Sequence, residues 1–404
     1  MAMVCVLGHP APGHVNPNLP LMAELCRRGE RVVYYATEPF RAKVERTGAE
    51  FRCYGEHEWF ERNLGSGGML GGMAGLMETA GRILPALVEE LRATRPDYLL
   101  VEAHALWGNL AAQILQVPTA TLCSMFAMNE RLIPARALMG YLYGAPPREL
   151  ALDGLVALGE YFEAARCLLR RFGVVSPGIV DYLGNRQRLN LVFTAREFQI
   201  GGEAFDDTYR FVGPPSNGHG DLGDFPLERL GGRAPILIAM GTMYNDEAEF
   251  YGHCFRAFGE WPDPVVLAVG HRVDRERLPA APANFTVREY VPQAALLTSA
   301  RLFITHGGIN SAHEAMLHGV PMVVLPRSAD HHVVAGQVEA VGAGVVVERS
   351  EATAERLAEA ARRALDDPRF RARSAKMGEL LRAAGGASRA ADEVIEFRRR
   401  AGIT

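Results

Sequence analysis

A short apolar run, VCVL at residues 4–7, leads into a loop rich in glycine and proline, then a helical pattern, then a second apolar run at 31–35, RVVYY. The stretch YLLV at 98–101 restarts the plan, followed by another helical pattern and a short strand after Pro118. Strands joined through helices run parallel, because a crossover of that length returns the chain in the same direction, and a parallel sheet must be covered on both faces. The plan then recurs. After residues 211–225, FVGPPSNGHGDLGDF, whose Gly, Pro, Asn and Asp content is that of an interdomain linker, the runs APILIAMGT, DPVVLAVG, RLFITHGG and VPMVVLPRS form a second series. The expectation is an α/β protein of two doubly wound domains with a cleft between them and ligands beyond the carboxyl ends of the strands. The boundaries expected are an N-terminal domain at 1–213, a linker at 214–230, a C-terminal domain at 231–385, and a last helix at 386–404 returning to the first domain. A chain of 404 residues suits two such domains.

Within the first repeat, Asn16 can cap a helix whose first position is Pro17, with Gly29 at its stop, which places His14 in the loop between strand and helix. The Ala-, Glu- and Arg-rich remainder after Thr353 has helical spacing, and EFRRR at 396–400 reads as a solvated helix end.

Composition narrows the partners. With 48% hydrophobic and 22% charged residues and a formal net charge of -4, nothing offers a polyanion-binding surface, and nucleic acid is not expected. The six cysteines show no C-x-x-C pair, four lie in apolar stretches, and a reducing compartment follows. The N-terminus lacks a basic leader and no apolar run approaches the roughly 18 residues of a membrane span, so the expected location is cytoplasmic, without membrane insertion. Two segments rich in Met and Gly, 59–77 and 124–145, fit the plan poorly; each reads equally as an adaptable pocket for an apolar ligand or as core beneath a loop.

Residues 304–319, ITHGGINSAHEAMLHG, carry the densest chemistry. A zinc-protease site needs histidines four apart on a helix, but His313 and His318 are five apart, which turns the second ring roughly 140° away. They read instead as helix-surface and helix-end residues. An apolar strand running into His306, Gly307 and Gly308, with a helix starting near Asn310 and Ser311, suits a phosphate: free backbone N–H groups and the positive end of the helix converge there. Glu314 falls one turn later on the same face. A capped helix that merely uses Gly-Gly fits the stretch as well.

His306, Gly308, Asn310, Ser311 and Glu314 reproduce the H-x-G-x-N-S-x-x-E core of the donor signature of family 1 glycosyltransferases, and YVPQ at 290–293 stands where that family has an aromatic-x-P-Q element. AMGT ending at Thr242, GVPMVVLP at 319–326 and GHVNP at 13–17 occur in the family's order, so the resemblance spans nearly the whole chain and is nearest the bacterial macrolide-type branch. It implies a GT-B type fold, two Rossmann-like domains facing across a cleft. It also implies roles. Tyr290 would stack on the nucleotide base, with Gln293 and the neighbouring Val291 backbone fixing its edge; Thr242, His306 and Ser311 would contact the diphosphate; Glu314 would accept the ribose hydroxyls; Asp330 would hold the sugar. The family has Trp at the stacking position and Gln after the sugar-binding acid, where this chain has Tyr290 and His331.

His14 stands where the family places its base, and an imidazole is suited to removing a hydroxyl proton near neutral pH. His9, outside the GHVNP context, is the weaker candidate. The base needs an acceptor on its other nitrogen. Glu102 occupies the position of the family's aspartate, with His104 able to share the task or to face solvent. No D-x-D occurs in the sequence, so a bridging metal has no evident ligands and no cofactor is expected. The expectation is inverting, metal-independent transfer from a UDP- or dTDP-sugar to an apolar hydroxylated small molecule such as a polyketide or phenol. A sugar-nucleotide epimerase of the same fold and a non-catalytic sugar-nucleotide binder are the rivals. A nicotinamide enzyme is disfavoured because residues 8–13 read G-x-x-x-x-G.

Overall fold

The computed structural model describes residues 2–55, 57–58, 60, 68–129, 147–175, 185–215, 222–241, 248–271, 273 and 278–403. The chain divides into two compact units, Met1–Pro215 with Ala384–Thr404, and Ser216–Ala383.

The first unit holds β1 (Met3–Leu7), α1 (Pro12–Arg27), β2 (Arg31–Ala36), α2 (Arg41–Glu45), β3 (Glu50–Cys53), α3 (Gly68–Thr94), β4 (Tyr98–Glu102), α4 (Leu106–Leu115), β5 (Thr119–Cys123), α5 (Pro147–Phe172), β6 (Asn190–Val192) and β7 (Tyr209–Phe211). Its sheet has the order β3-β2-β1-β4-β5-β6-β7, with every neighbouring pair parallel. Side chains alternate faces along a strand. Cys5, Leu7, Val33, Tyr35, Leu99 and Val101 therefore pack with residues of α3, α4 and α5, whereas Val4, Val6, Val32, Tyr34, Tyr98 and Leu100 join Leu21, Met22 and Leu25 of α1. Both faces are dry, which is why these strands read as continuous apolar runs rather than alternating ones.

The second unit holds β8 (Ile236–Ala239), α6 (Ala248–Phe258), β9 (Val265–Ala268), β10 (Phe285–Arg288), α7 (Gln293–Leu297), β11 (Leu302–Thr305), α8 (Ile309–Leu317), β12 (Met322–Val324), α9 (Ala329–Ala340), β13 (Gly344–Val346), α10 (Ala354–Asp366) and α11 (Pro368–Ala383). Its sheet is again parallel throughout, in the order β10-β9-β8-β11-β12-β13. Helices α8 and α11 touch backbone to backbone: a Cβ on Gly378 would stand 2.0 Å from the Met316 carbonyl oxygen.

The last helix, α12 (Gly386–Arg400), belongs to the first unit. Gly385 and Gly386 both take positive φ and turn the chain there, and Ala390, Ala391 and Val394 enter the core beside α1. Arg398 is paired with the buried Glu30, which also accepts a hydrogen bond from the Tyr98 hydroxyl at 3.0 Å. The EFRRR segment is therefore only partly solvated: Arg399 and Arg400 pair with Glu396 at the surface, but Arg398 neutralises a carboxylate that has lost its water.

Helix α1 begins five residues before the expected start. Pro12 takes its first position behind an extended Ala11, and Pro17 and Pro20 lie inside it, so Asn16 caps nothing. Pro12 suits a first position because its fixed φ is already helical and its missing N–H would have no partner there. His14 consequently sits in the first turn of a helix rather than in a loop. The strands that sequence patterning passed over, β3, β6, β7, β10 and β13, are three or four residues long, too short to show a period.

The six cysteines form no disulfide, and no helix among the described residues is long and apolar enough to cross a membrane. Residues 59, 61–67, 130–146, 216–221 and 242–247 lie outside the described residues, and with them parts of both Met/Gly-rich segments, part of the expected linker, and Thr242.

Candidate active site

In each sheet the strand order reverses once, between β1 and β4 in the first unit and between β8 and β11 in the second. At such a point the two connections leave in opposite directions and open a crevice beyond the carboxyl ends of the strands. Both clusters of site residues lie at these reversals.

In the first unit, β1 leads into His9 and then into the first turn of α1, which carries His14; β4 ends on Glu102; Ser124 follows β5. Glu102 is fully buried. Its Oε1 lies 2.9 Å from His14 Nδ1 and accepts the Ser124 hydroxyl at 2.6 Å, while Oε2 accepts the His104 backbone N–H at 2.7 Å. Burial pushes the Glu102 carboxyl up, but the His14 ring and the hydrogen bond and charge of His104 outweigh it and hold the carboxyl well below its ordinary value. Glu102 is thus a carboxylate, which only accepts hydrogen bonds. The proton it shares with His14 rests on Nδ1, and the lone pair of Nε2 is left for chemistry. The His104 side chain is partly exposed, with Nδ1 3.7 Å from Glu102 Oε1, so its backbone rather than its ring makes the short bond. His9 is buried, 4.5 Å from the His14 ring centre and stacked toward Trp107. Burial, and then the neighbouring His14, keep it neutral.

In the second unit, β11 runs directly into His306, Gly307 and Gly308, and Gly308 is the N-cap of α8. Space is tight around the His306 ring. A Cβ on Gly241, at the end of β8, would stand 2.8 Å from His306 Cε1, and one on Gly308 would stand 2.6 Å from Nε2. Gly307 has φ +87°, a conformation that only glycine adopts without strain. The His306 ring is held neutral, its pKa pushed down to about 3 by burial and by His331, whose ring centre is 4.6 Å away. Asn310 and Ser311 lie half-buried in the first turn of α8.

Gln293 opens α7 and joins two of the expected residues, its amide donating to Ser311 Oγ at 3.1 Å and to Glu314 Oε2 at 2.8 Å. Burial raises the Glu314 carboxyl, against the opposing pull of that amide. Val291 is buried, while Tyr290 beside it is 81% exposed, an aromatic face open to solvent. Asp330 and His331 stand in the first turn of α9, with His331 Nε2 3.6 Å from Asp330 Oδ2. Burial lowers the His331 pKa against the pull of Asp330.

His313 corrects the sequence reading. It is buried, not on the helix surface, and burial pushes its pKa down to about 3. Sequence reasoning missed Ser124; its place just past the carboxyl end of β5, the neighbour of β4, was the available signal.

The profile of the erythromycin biosynthesis protein CIII-like C-terminal domain matches residues 255–396. An uncharacterized UDP-glucosyltransferase YojK of Bacillus subtilis is 33% identical over 98% of this chain and 97% of its own length. The chain belongs to the family 1 glycosyltransferases. As a glycosyltransferase it is also 33% identical to the NDP-glycosyltransferase YjiC of B. subtilis, over 99% of this chain and 98% of that one. Among solved structures, the glycotransferase of kitacinnamycin matches with a TM-score of 0.82 at 28% identity, covering 98% of both chains. The two parallel sheets of seven and six strands are those of GT-B glycosyltransferases.

Proposed function

We infer that this glycosyltransferase moves a sugar from a nucleoside diphosphate sugar to a hydroxyl of an apolar small molecule, with inversion at the anomeric carbon and without a metal. The observation that carries the reading is the His14 Nδ1 to Glu102 Oε1 contact of 2.9 Å, since a protein that only binds has no need of an imidazole poised by a buried carboxylate. His14 Nε2 takes the acceptor's proton as its oxygen attacks, and Glu102 steadies the imidazolium that forms. Donor binding is assigned to the second unit. Tyr290 stacks on the base, Val291 and Gln293 set its edge, and Glu314 accepts the ribose hydroxyls. Thr242, His306, Gly308, Asn310 and Ser311 surround the diphosphate, where the amino end of α8 offers positive potential to the departing anion. Asp330 and His331 hold the sugar.

Relatives named for UDP-glucose and for NDP-sugars support UDP-glucose or a dTDP-deoxysugar as donor, and the match to an erythromycin biosynthesis domain supports a polyketide-like or phenolic acceptor. The test is a panel of nucleotide sugars against a mixed acceptor library, scored by mass for added hexose or deoxyhexose, with His14→Ala as control. Transfer that needs His14 and survives a chelator supports the reading. Wild-type activity in His14→Ala, or turnover of hydrophilic acceptors alone, overturns it.

A further inference from the structure

One ligand atom from each of His14, Glu102 and His104 lies within 4.8 Å of the other two. A tetrahedral zinc ion holds its nitrogen and oxygen ligands at about 2.0–2.1 Å, which spaces them about 3.3 Å from one another. The separations from Glu102 Oε1, 2.9 Å to His14 Nδ1 and 3.7 Å to His104 Nδ1, bracket that spacing. The donor set also suits the ion: two imidazoles and a carboxylate. An entry path exists, since the His14 and His104 side chains are 15% and 29% exposed while Glu102 beneath them is sealed. Beside the group, the buried His9 keeps an Nδ1 with no hydrogen-bond partner among the described residues, a further nitrogen within the same cluster of rings.

We propose that His14, Glu102 and His104 form an inhibitory site for a zinc-class divalent ion, in which the metal takes the place of the proton between His14 and Glu102. The consequence for chemistry follows from the tautomer and rests on His14 acting as base. With the proton on Nδ1, the Nε2 lone pair is free. A metal on Nδ1 displaces that proton to Nε2; the ring stays neutral, no net proton is lost, and the nitrogen that must accept from the acceptor hydroxyl now carries a hydrogen. The ion therefore stops transfer without touching the donor groups, and a chelator restores it.

The test is calorimetry of Zn2+ alone added to chelator-stripped full-length protein, with Co2+ absorption as the readout of coordination geometry. The wild type is expected to bind one equivalent at this site and to give the intense visible bands of four-coordinate cobalt. His104→Ala, with His104→Asn as a second variant whose fold is checked by circular dichroism, is expected to weaken that binding by at least about tenfold, the scale on which lost metal-site groups act. Glu102→Gln should do the same. Equal affinity in the folded His104 variants, or a six-coordinate cobalt spectrum in the wild type, overturns the proposal. Because binding is read without turnover, this outcome stands apart from whether sugar transfer is found; inhibition by Zn2+ in the transfer assay, reversed by chelator, then joins the two.

Discussion

Ser124 Oγ stands 2.6 Å from Glu102 Oε1 and 3.0 Å from His14 Nδ1, closing a three-membered polar group drawn from the ends of β4 and β5 and the first turn of α1. The hydroxyl spends its proton on the carboxylate and turns its oxygen toward the imidazole N–H. Removing it takes one hydrogen bond from a buried charge, worth about 1.5–3 kcal/mol when the acceptor is ionised. Ser124→Ala should therefore slow turnover by about tenfold or more at saturating donor, while circular dichroism stays that of the wild type. An unchanged kcat would show that Glu102 needs no help in holding the ring.

Glu102→Gln keeps the volume but replaces an acceptor-only group with one that can also donate. An amide N–H aimed at Nδ1 favours the tautomer with its proton on Nε2, the wrong one for a base. We expect kcat to fall by about ten-thousandfold, the scale seen where such a carboxylate is amidated, with donor KM little altered. Equal losses in kcat and donor affinity would point to a collapsed site instead.

His306 is neutral at pH 7, with a pKa near 3, and its ring is hydrogen-bonded to the Ala239 backbone. A neutral imidazole with its N–H already engaged offers a diphosphate a lone pair, which repels it. Binding UDP should therefore draw a proton onto the ring. Calorimetric titrations in two buffers of different ionisation enthalpy should report uptake of up to about one proton per site. Buffer-independent heats would remove His306 from the diphosphate.

The buried histidines also make the fold acid-sensitive. His306 and His313 are each held to about 3 against an ordinary 6.5, so below that ordinary value the unfolded chain binds protons that the folded one refuses. Stability is complete above pH 6.5 and is lost as pH falls from there towards 3. Melting temperature should drop steadily on acidification below about 6.5. His313→Leu should flatten the slope; an identical slope in the variant would place the sensitivity elsewhere.

Much of this arrangement is legible in the chain itself. The recurring apolar runs follow from strands buried on both faces, and the GHVNP and HGGIN segments fall beyond strand ends because doubly wound sheets place their ligands there. The start of α1 was misread because an Asn-Pro pair resembles a cap, whereas Pro12, five residues earlier, meets the same requirement. The sequence does not reveal that His313 is buried, because polar Ser311 and Glu314 stand close to it and sequence spacing does not show which side of α8 faces the interior.

Sequence alone determined the parallel α/β plan, its repetition, and the residue types at each strand end, since these depend on local periodicity and backbone conformation. Only the tertiary structure decided that Glu102, His14 and Ser124 share one proton network and that His306 is uncharged. Those facts depend on burial and on distances between segments up to 110 residues apart. Electrostatics at that range belongs to the folded chain, because desolvation and the alignment of donors with acceptors exist only once the sheets have packed.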